Sequence, residues 1–167
     1  ALARDYHVTI KTMLGRVAQR LAEYAPEIRF RAFTDSAPVA EKSLAVRAGL
    51  GWIGRNSLVV NPRLGSMMHL GELFISEDVD GYDTPMTGVG CGTCRRCVEA
   101  CPNGAISDDR TINTHRCISC RTIEREGSET PITLDGWIYG CDACQSVCPF
   151  NRHAPEHRNP LFDPLFV

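Results

Sequence analysis

The sequence predicts an α+β protein in which a small α/β layer precedes a cysteine-rich domain. Apolar residues recur at helix and strand spacings through the first 76 residues, whereas all nine cysteines follow Gly90. A polar stretch rich in Asp, Gly and Pro separates the two parts. We therefore expect an α/β part over 1–76, a linker over 77–90, a cysteine domain over 91–155 and a tail over 156–167.

The first element is an amphipathic helix between His7 and Ala25, which ends before Pro26. Its apolar residues recur every three or four positions, as a buried helix face requires. They are Ile10, Met13, Leu14, Val17, Leu21 and Tyr24.

A half-buried strand follows, since apolar and charged residues alternate from Ile28 to Phe33. Ser36 is expected to cap a second helix, with Pro38 in its first turn and Gly49 as its stop. The order is thus helix, strand, helix.

Two further strands are expected over residues 57–60 and 67–75, joined by a turn at 61–65 that contains Pro62 and Gly65. Before them, residues 49–54 contain three glycines, so the backbone there can adopt positive φ or approach a neighbour closely. This segment lacks the spacing of a phosphate-binding fingerprint.

The composition is that of an ordinary globular protein, with 43% hydrophobic and 23% charged residues. Charges interrupt every apolar run, so we expect a soluble protein with no membrane partner. The net charge of −2 gives no electrostatic support for nucleic-acid binding. Clustered cysteines without a secretory signal favour metal binding and a cytoplasmic location, because cytosolic thiols stay reduced.

The cysteine spacing is the strongest chemical signal. Cys91-x2-Cys94-x2-Cys97-x3-Cys101-Pro102 matches the run that binds 4Fe-4S clusters in bacterial ferredoxins, in which the fourth cysteine ligates the other cluster. A zinc site needs only four ligands, usually in two separated CxxC pairs. The run therefore predicts a ferredoxin-like domain.

A second copy predicts a second cluster, because Cys141-x2-Cys144-x3-Cys148-Pro149 repeats the end of the first run. By the exchange rule, Cys148 joins Cys91, Cys94 and Cys97 at one cluster. The other cluster takes Cys101, Cys141 and Cys144. Its fourth ligand is Cys117 or Cys120, and the spacing leaves the choice open.

Five blocks of sequence then resemble epoxyqueuosine reductases, in their order as well as their residues. They are FTDSAPV at 33–39, AGLGWIGRN at 48–56, LGEL at 70–73, CIS at 117–119 and IYGCD at 138–142. The family's usual chain is longer at both ends. The resemblance implies a fragment without the family's N-terminal segment and C-terminal repeats, in which the α/β layer is part of a cobalamin-binding domain.

The resemblance also implies an oxidoreductase that reduces epoxyqueuosine to queuosine at the wobble position of tRNA. Two 4Fe-4S clusters would pass electrons to cobalamin, and Asp35 matches the family's proton donor. By the same resemblance Cys117 is the ligand and Cys120 is spare. The implied cobalamin contacts are Asp35, Trp52, Asn56, Ser66 and Ser119.

The implied partners are tRNA and an external electron donor such as flavodoxin or ferredoxin, and we expect a monomer. Two other hypotheses stay open. A two-cluster ferredoxin-type electron carrier explains every cysteine but gives the first 75 residues no purpose. A reductive dehalogenase-like enzyme also combines cobalamin with two clusters.

Overall fold

A computed structural model describes residues 3–124 and 130–163, which fall into two compact units. The first unit comprises Ala1–Ala48, Met68–Thr84 and Glu156–Val167, and the second comprises Gly49–Met67 and Pro85–Pro155. Residues 164–167 of the predicted tail lie outside the described part. No helix in the described ranges is long and apolar enough to cross a membrane.

The first unit packs one long helix beside a two-stranded sheet. Helix α1 spans Tyr6–Ala22 and strands β1 (Phe30–Phe33) and β4 (Glu72–Ile75) pair antiparallel, with Phe30 opposite Ile75 and Phe33 opposite Glu72. The predicted helix and first strand are confirmed. The Asp5 carboxylate caps α1 by accepting the His7 backbone N–H at 2.9 Å, which satisfies a donor that the helix leaves free.

Helix α2 spans Glu41–Arg47, so the prediction that Ser36 caps it is wrong. Its N-cap residue is Ala40, which offers no side-chain acceptor, and the Ser36 hydroxyl accepts a hydrogen bond from Lys11 Nζ at 2.8 Å. Residues 34–38 instead form a bend that includes Asp35, whose φ is 50°. Because of this bend, helix α2 begins only at Glu41. The bend also sets the conformation of the Asp35 backbone.

The second unit begins with a hairpin of strands β2 (Trp52–Ile53) and β3 (Val59–Val60), with Trp52 opposite Val60. Strand β2 was not predicted, because two residues are too short for a periodic pattern. Gly51 is required by close approach, since a Cβ there would collide with the Val60 carbonyl oxygen. The predicted turn at 61–65 is confirmed by the bridge between Asn61 and Gly65.

The strand expected over 67–75 is shorter than predicted. Only Glu72–Ile75 forms a strand, β4, and it pairs with β1. The sheet is also divided, because β1–β4 belongs to the first unit and β2–β3 to the second. Residues 49–67, assigned by the sequence to the α/β layer, are thus grouped with the cysteines. The fold is a mixed helix and sheet structure.

Short helices in the second unit carry cysteines of the two runs, Cys97 in the first and Cys144 in the second. They are α3 (Arg96–Glu99) and α4 (Ala143–Ser146), with a π-helical turn over Cys120–Glu124 and a 3₁₀ turn over Pro149–Asn151. The buried apolar residues of this unit include Trp52, Val59, Val60, Ala105, Ile106 and Ile118. The hairpin therefore contributes core to the unit that holds the cysteines.

Candidate functional site

Four of the nine cysteines line one cavity of the second unit. Cys91, Cys94 and Cys97 come from a single stretch of chain, and Cys148 follows α4 about 50 residues later. Burial raises the pKa of the Cys97 thiol, and the negative charges of Cys91 and Cys148 raise it further. Thiols from both cysteine runs thus line the same cavity, which is the grouping that the exchange rule predicts.

A second set of thiols interacts around α4. Burial raises the pKa of Cys141, and the charges of Cys117 and Cys101 add to that shift. Burial likewise raises the pKa of Cys144 to about 12, with further contributions from Cys141, Cys97 and Cys101. Cys120 begins the π-helical turn.

All nine thiols are partly exposed and none forms a disulfide. Among residues 3–124 and 130–163, no three His, Cys, Asp or Glu side chains are placed to share a single metal ion. A 4Fe-4S cluster makes a different demand, because each of its irons takes one thiolate. The four thiols that line the cavity match the ligand number of one such cluster, and the other five are enough for a second.

Arg55 fixes the backbone of the first cysteine loop. Its guanidinium group donates hydrogen bonds to the carbonyl oxygens of Cys94 at 2.8 Å, Gly92 at 3.0 Å and Asp108 at 3.2 Å. The rigid fork of a guanidinium suits three acceptors at once. Sequence analysis missed this role, and only the position of Arg55 in the AGLGWIGRN block pointed to it.

Two predicted cobalamin contacts take part in internal hydrogen bonds of the second unit. The Ser66 hydroxyl donates to Gln145 Oε1 at 3.0 Å and accepts from Asn151 Nδ2 at 3.0 Å. Asn56 is buried, and its Oδ1 accepts the Leu58 backbone N–H at 3.4 Å. The Ser66 side chain connects the hairpin region to the segment on either side of Cys148.

Trp52 and Ser119 are the other two predicted cobalamin contacts in this unit. The Trp52 ring packs edge-on against Phe150, with ring centroids 4.9 Å apart, beside the Cys148-Pro149 turn. Its indole Nε1 is buried, and no residue of the described part accepts a hydrogen bond from it. Ser119 is half-buried, and its carbonyl oxygen accepts a hydrogen bond from Thr122.

Asp35 lies in the first unit, where its side chain is exposed in the bend after β1. The Tyr6 hydroxyl donates to Asp35 Oδ2 at 2.5 Å, and the Asp35 backbone N–H donates to Glu41 Oε1. The Tyr6 ring also stacks on the ring of His69, and burial lowers the pKa of this histidine. Tyr6 and Glu41 hold Asp35 in a left-handed conformation that non-glycine residues rarely adopt.

Glu41 in turn meets a second carboxyl group, that of Glu72. Burial raises the pKa of Glu72 to about 7, and the charge and hydrogen bonding of Glu41 contribute to this shift. Glu72 Oε2 is buried and receives no hydrogen bond from the described residues. Sequence analysis placed Glu72 in the LGEL block but gave it no partner, because the contact joins residues 31 positions apart.

Comparison with known proteins shows which proteins this chain is similar to. The family described as "4Fe-4S double cluster binding domain" matches residues 90–151, which include all nine cysteines. A curated protein of Cyclobacterium marinum, named epoxyqueuosine reductase, is 44% identical over 98% of this chain and 54% of its own length. The chain is homologous to epoxyqueuosine reductase. It spans about half the length of the curated relatives it matches.

Solved structures of epoxyqueuosine reductase have the same fold. The enzyme from Streptococcus thermophilus matches with a TM-score of 0.83 and 34% identity, over 96% of this chain and 43% of that one. A structure with an epoxyqueuosine-modified tRNA-Tyr stem loop matches with a TM-score of 0.85 and 30% identity, over 98% and 44%. A catabolic reductive dehalogenase shares the fold alone, at a TM-score of 0.58 and 22% identity.

Proposed function

We propose that this chain forms the cluster-binding and acid-bearing part of an enzyme that reduces epoxyqueuosine to queuosine at the wobble position of tRNA. One observation carries the proposal. Cys148 meets Cys91, Cys94 and Cys97 around one cavity, in a chain 44% identical to an epoxyqueuosine reductase. A simple electron carrier would need the cysteine domain but would not need Asp35 and its two partners.

We assign one 4Fe-4S cluster to Cys91, Cys94, Cys97 and Cys148. The other is assigned to Cys101, Cys117, Cys141 and Cys144, because Cys117 and Cys101 both act electrostatically on Cys141. Cys120 is then the spare thiol. Each cluster can pass one electron at a time, and four thiolates per cluster leave no iron open to substrate.

The reaction needs two electrons and two protons, since the epoxide oxygen leaves as water and an alkene remains. Asp35 is proposed to give one proton to the leaving oxygen, as a general acid must be exposed to its substrate. Tyr6 orients the Asp35 carboxyl group through Oδ2, and Glu41 fixes its backbone. Cobalamin, when bound, supplies the reactive metal at which cluster electrons meet the substrate.

Trp52 provides the observation that fits a bound corrin, because its buried indole N–H lacks an acceptor in the described residues. A buried donor without an acceptor is costly, so a polar group of a ligand there would stabilise the protein. Asp35 and Ser119 are proposed as further contacts. Asn56 and Ser66 complete the proposed set, although their polar atoms already serve internal hydrogen bonds.

The proposed partners are tRNA as substrate and an external electron donor of the flavodoxin or ferredoxin type. The predicted cytoplasmic location and monomeric state stay predictions, as do the domain boundaries at 76, 90 and 155. Electron entry through the cysteine domain would require a donor that docks near the cluster ligands. Arg95 and Arg96 are cations next to Cys94 and Cys97 and suit an acidic donor.

The test is nucleoside mass spectrometry of tRNA from the source organism after deletion of the full-length gene. We expect epoxyqueuosine to accumulate, and the wild-type gene to restore queuosine. Genes encoding Asp35→Asn or Cys148→Ala should not restore it, whereas a gene encoding Cys120→Ala should. Normal queuosine in a deletion strain that has no second reductase would overturn the proposal.

A further inference from the structure

The side chain of Asn151 joins two stretches of the second unit that lie 85 positions apart in the chain. Its Oδ1 accepts the Ser66 backbone N–H at 2.6 Å, and its Nδ2 donates to the Ser66 hydroxyl at 3.0 Å. The same Nδ2 donates to the Gln145 carbonyl oxygen at 2.8 Å. The acceptor and the donor of the amide are therefore both used.

The contact between Asn151 and Ser66 is closely fitted. Ser66 is buried, with 6% of the residue exposed, and its hydroxyl also donates to Gln145 Oε1 at 3.0 Å. The preceding residue is Gly65, where a Cβ would collide with Asn151 Oδ1. Glycine thus leaves the space that the Asn151 amide fills, and loss of the amide would leave buried polar groups of Ser66 without partners.

Cys148 lies between the two residues that Ser66 contacts. Its backbone N–H donates to the Gln145 carbonyl oxygen at 3.0 Å, the same oxygen that Asn151 Nδ2 contacts. Its own carbonyl oxygen accepts the Asn151 backbone N–H at 3.0 Å. The backbone of Cys148 is therefore tied on both sides to residues that Ser66 holds, while its side chain lines the cavity of the first cysteine run.

We infer that Asn151 is a positioning residue that holds Cys148 at the cluster of the first cysteine run, by anchoring the Cys148 turn to Ser66. The inference rests on the proposed assignment of Cys148 to that cluster. Asn151 acts through the backbone of Cys148. It deepens the proposed function by naming what makes the exchange between the two cysteine runs stable.

The physical reason is the difference between local and distant ligands. Cys91, Cys94 and Cys97 are spaced by two residues each, so one short stretch of chain brings them together. Cys148 comes from the other run, and only tertiary contacts can fix its distance from that stretch. Partners that orient a ligand typically change metal affinity by about 10- to 100-fold when they are removed.

Asn151→Ala is the decisive variant, because it removes the amide that joins the two stretches. Ser66→Ala is the second variant, since it removes the hydroxyl but keeps the backbone N–H that Asn151 Oδ1 accepts. The matched control is Asn159→Ala in the first unit. There the Asn159 amide accepts the Leu161 backbone N–H at 3.0 Å and donates to Met13 Sδ at 3.2 Å.

The experiment measures the rate at which a chelator removes iron from the full-length protein, reconstituted with iron and sulfide. In Asn151→Ala we expect about four of about eight iron atoms to leave about 10- to 100-fold faster than in the wild type, and the rest at the wild-type rate. Ser66→Ala should accelerate the same fraction less, and Asn159→Ala should not accelerate it. In a Cys148→Ala protein, adding Asn151→Ala should not change the release of the remaining iron, which assigns the labile cluster to Cys148.

Two results would overturn the inference. Wild-type release from Asn151→Ala would show that Cys148 needs no anchor. Equal acceleration of both clusters, or faster release when Asn151→Ala is added to Cys148→Ala, would show that Asn151 supports the whole unit. Ser66→Ala decides by the same criteria where Asn151→Ala does not fold.

Failure of the proposed cluster assignment would look different. The wild-type protein would then hold fewer than two clusters, or Cys148→Ala would retain all its iron, and the inference would fail with the assignment. Full loading of the wild type and partial loading of Cys148→Ala, together with unchanged release from Asn151→Ala, would overturn the inference alone.

Discussion

The two compact units hold their functional side chains in different ways. In the second unit, most of the proposed cluster ligands lie three or four residues apart, and Cys148 completes the first proposed set. In the first unit, Asp35 depends on Tyr6, 29 positions earlier, and on Glu41, which meets Glu72. Short-range spacing thus specifies one site, and long-range contacts specify the other.

The largest effect should come from breaking the exchange that brings Cys148 to the first cysteine run. Cys148→Ala removes a proposed ligand of the first cluster, so iron content should fall from about eight atoms per chain to about four. Iron and sulfide analysis of the full-length protein measures this loss. Cys120→Ala is the matched control and should retain all the iron, and a halved iron content there would instead make Cys120 a ligand.

The next largest effect should come from replacing Asp35, the proposed general acid. Asp35→Asn keeps the shape of the side chain but cannot donate a carboxyl proton, so turnover should fall by about 10²- to 10⁴-fold. Single-turnover assays on modified tRNA measure the change, with iron content as the check on folding. Tyr6→Phe removes only the orienting hydrogen bond and should cost less. Wild-type turnover in Asp35→Asn would remove Asp35 from the mechanism.

The sequence was sufficient wherever function depends on spacing. The two cysteine runs, helix α1 and the turn at 61–65 were predicted because their signals lie within a few residues. The Ser36 cap failed because the bend at Asp35 depends on Glu41 and Lys11 rather than on local propensity. Strand β3 lies within the strand predicted over 57–60, but β2 and its pairing with β3 were missed, since packing in the cysteine unit is a tertiary property.

Arg55→Met tests whether the cysteine loop needs support beyond its spacing. The variant loses three hydrogen bonds from a charged donor to backbone carbonyls, and we expect the free energy of unfolding to fall by about 2 kcal/mol. Thermal unfolding under anaerobic conditions measures the change. Arg63→Met, at an exposed position of the same unit, should change stability little. Equal stability of the two variants would contradict the role of Arg55.

The smallest effect is a pH dependence in the first unit. The pKa of Glu72 is raised from 4.5 to about 7, so the folded state binds more protons than the unfolded state between these values. Stability should therefore fall as pH rises from 4.5 to 7, and this penalty should be absent below 4.5.

Glu72→Gln carries no proton and should be free of that penalty. Its unfolding temperature should exceed the wild-type value at pH 8 by one or two degrees, a rough expectation for a partly exposed carboxyl group. The difference should vanish below pH 4.5, where the carboxyl group is protonated in both states. Glu27→Gln, at an exposed position of the same unit, should show no such trend. Parallel pH profiles for Glu72→Gln and the wild type would show that Glu72 ionises normally.

The hairpin β2–β3 limits how the cysteine domain could be transferred to another protein. Ferredoxin-like domains look like modules that can be cut out and fused elsewhere, and the cysteine runs alone suggest a cut near residue 90. Here the compact unit is assembled from two stretches of chain, Gly49–Met67 and Pro85–Pro155. A graft of the second stretch alone would leave behind Arg55 and Asn56. A transplant of the cysteine unit would have to include the hairpin and rejoin it by a new connection.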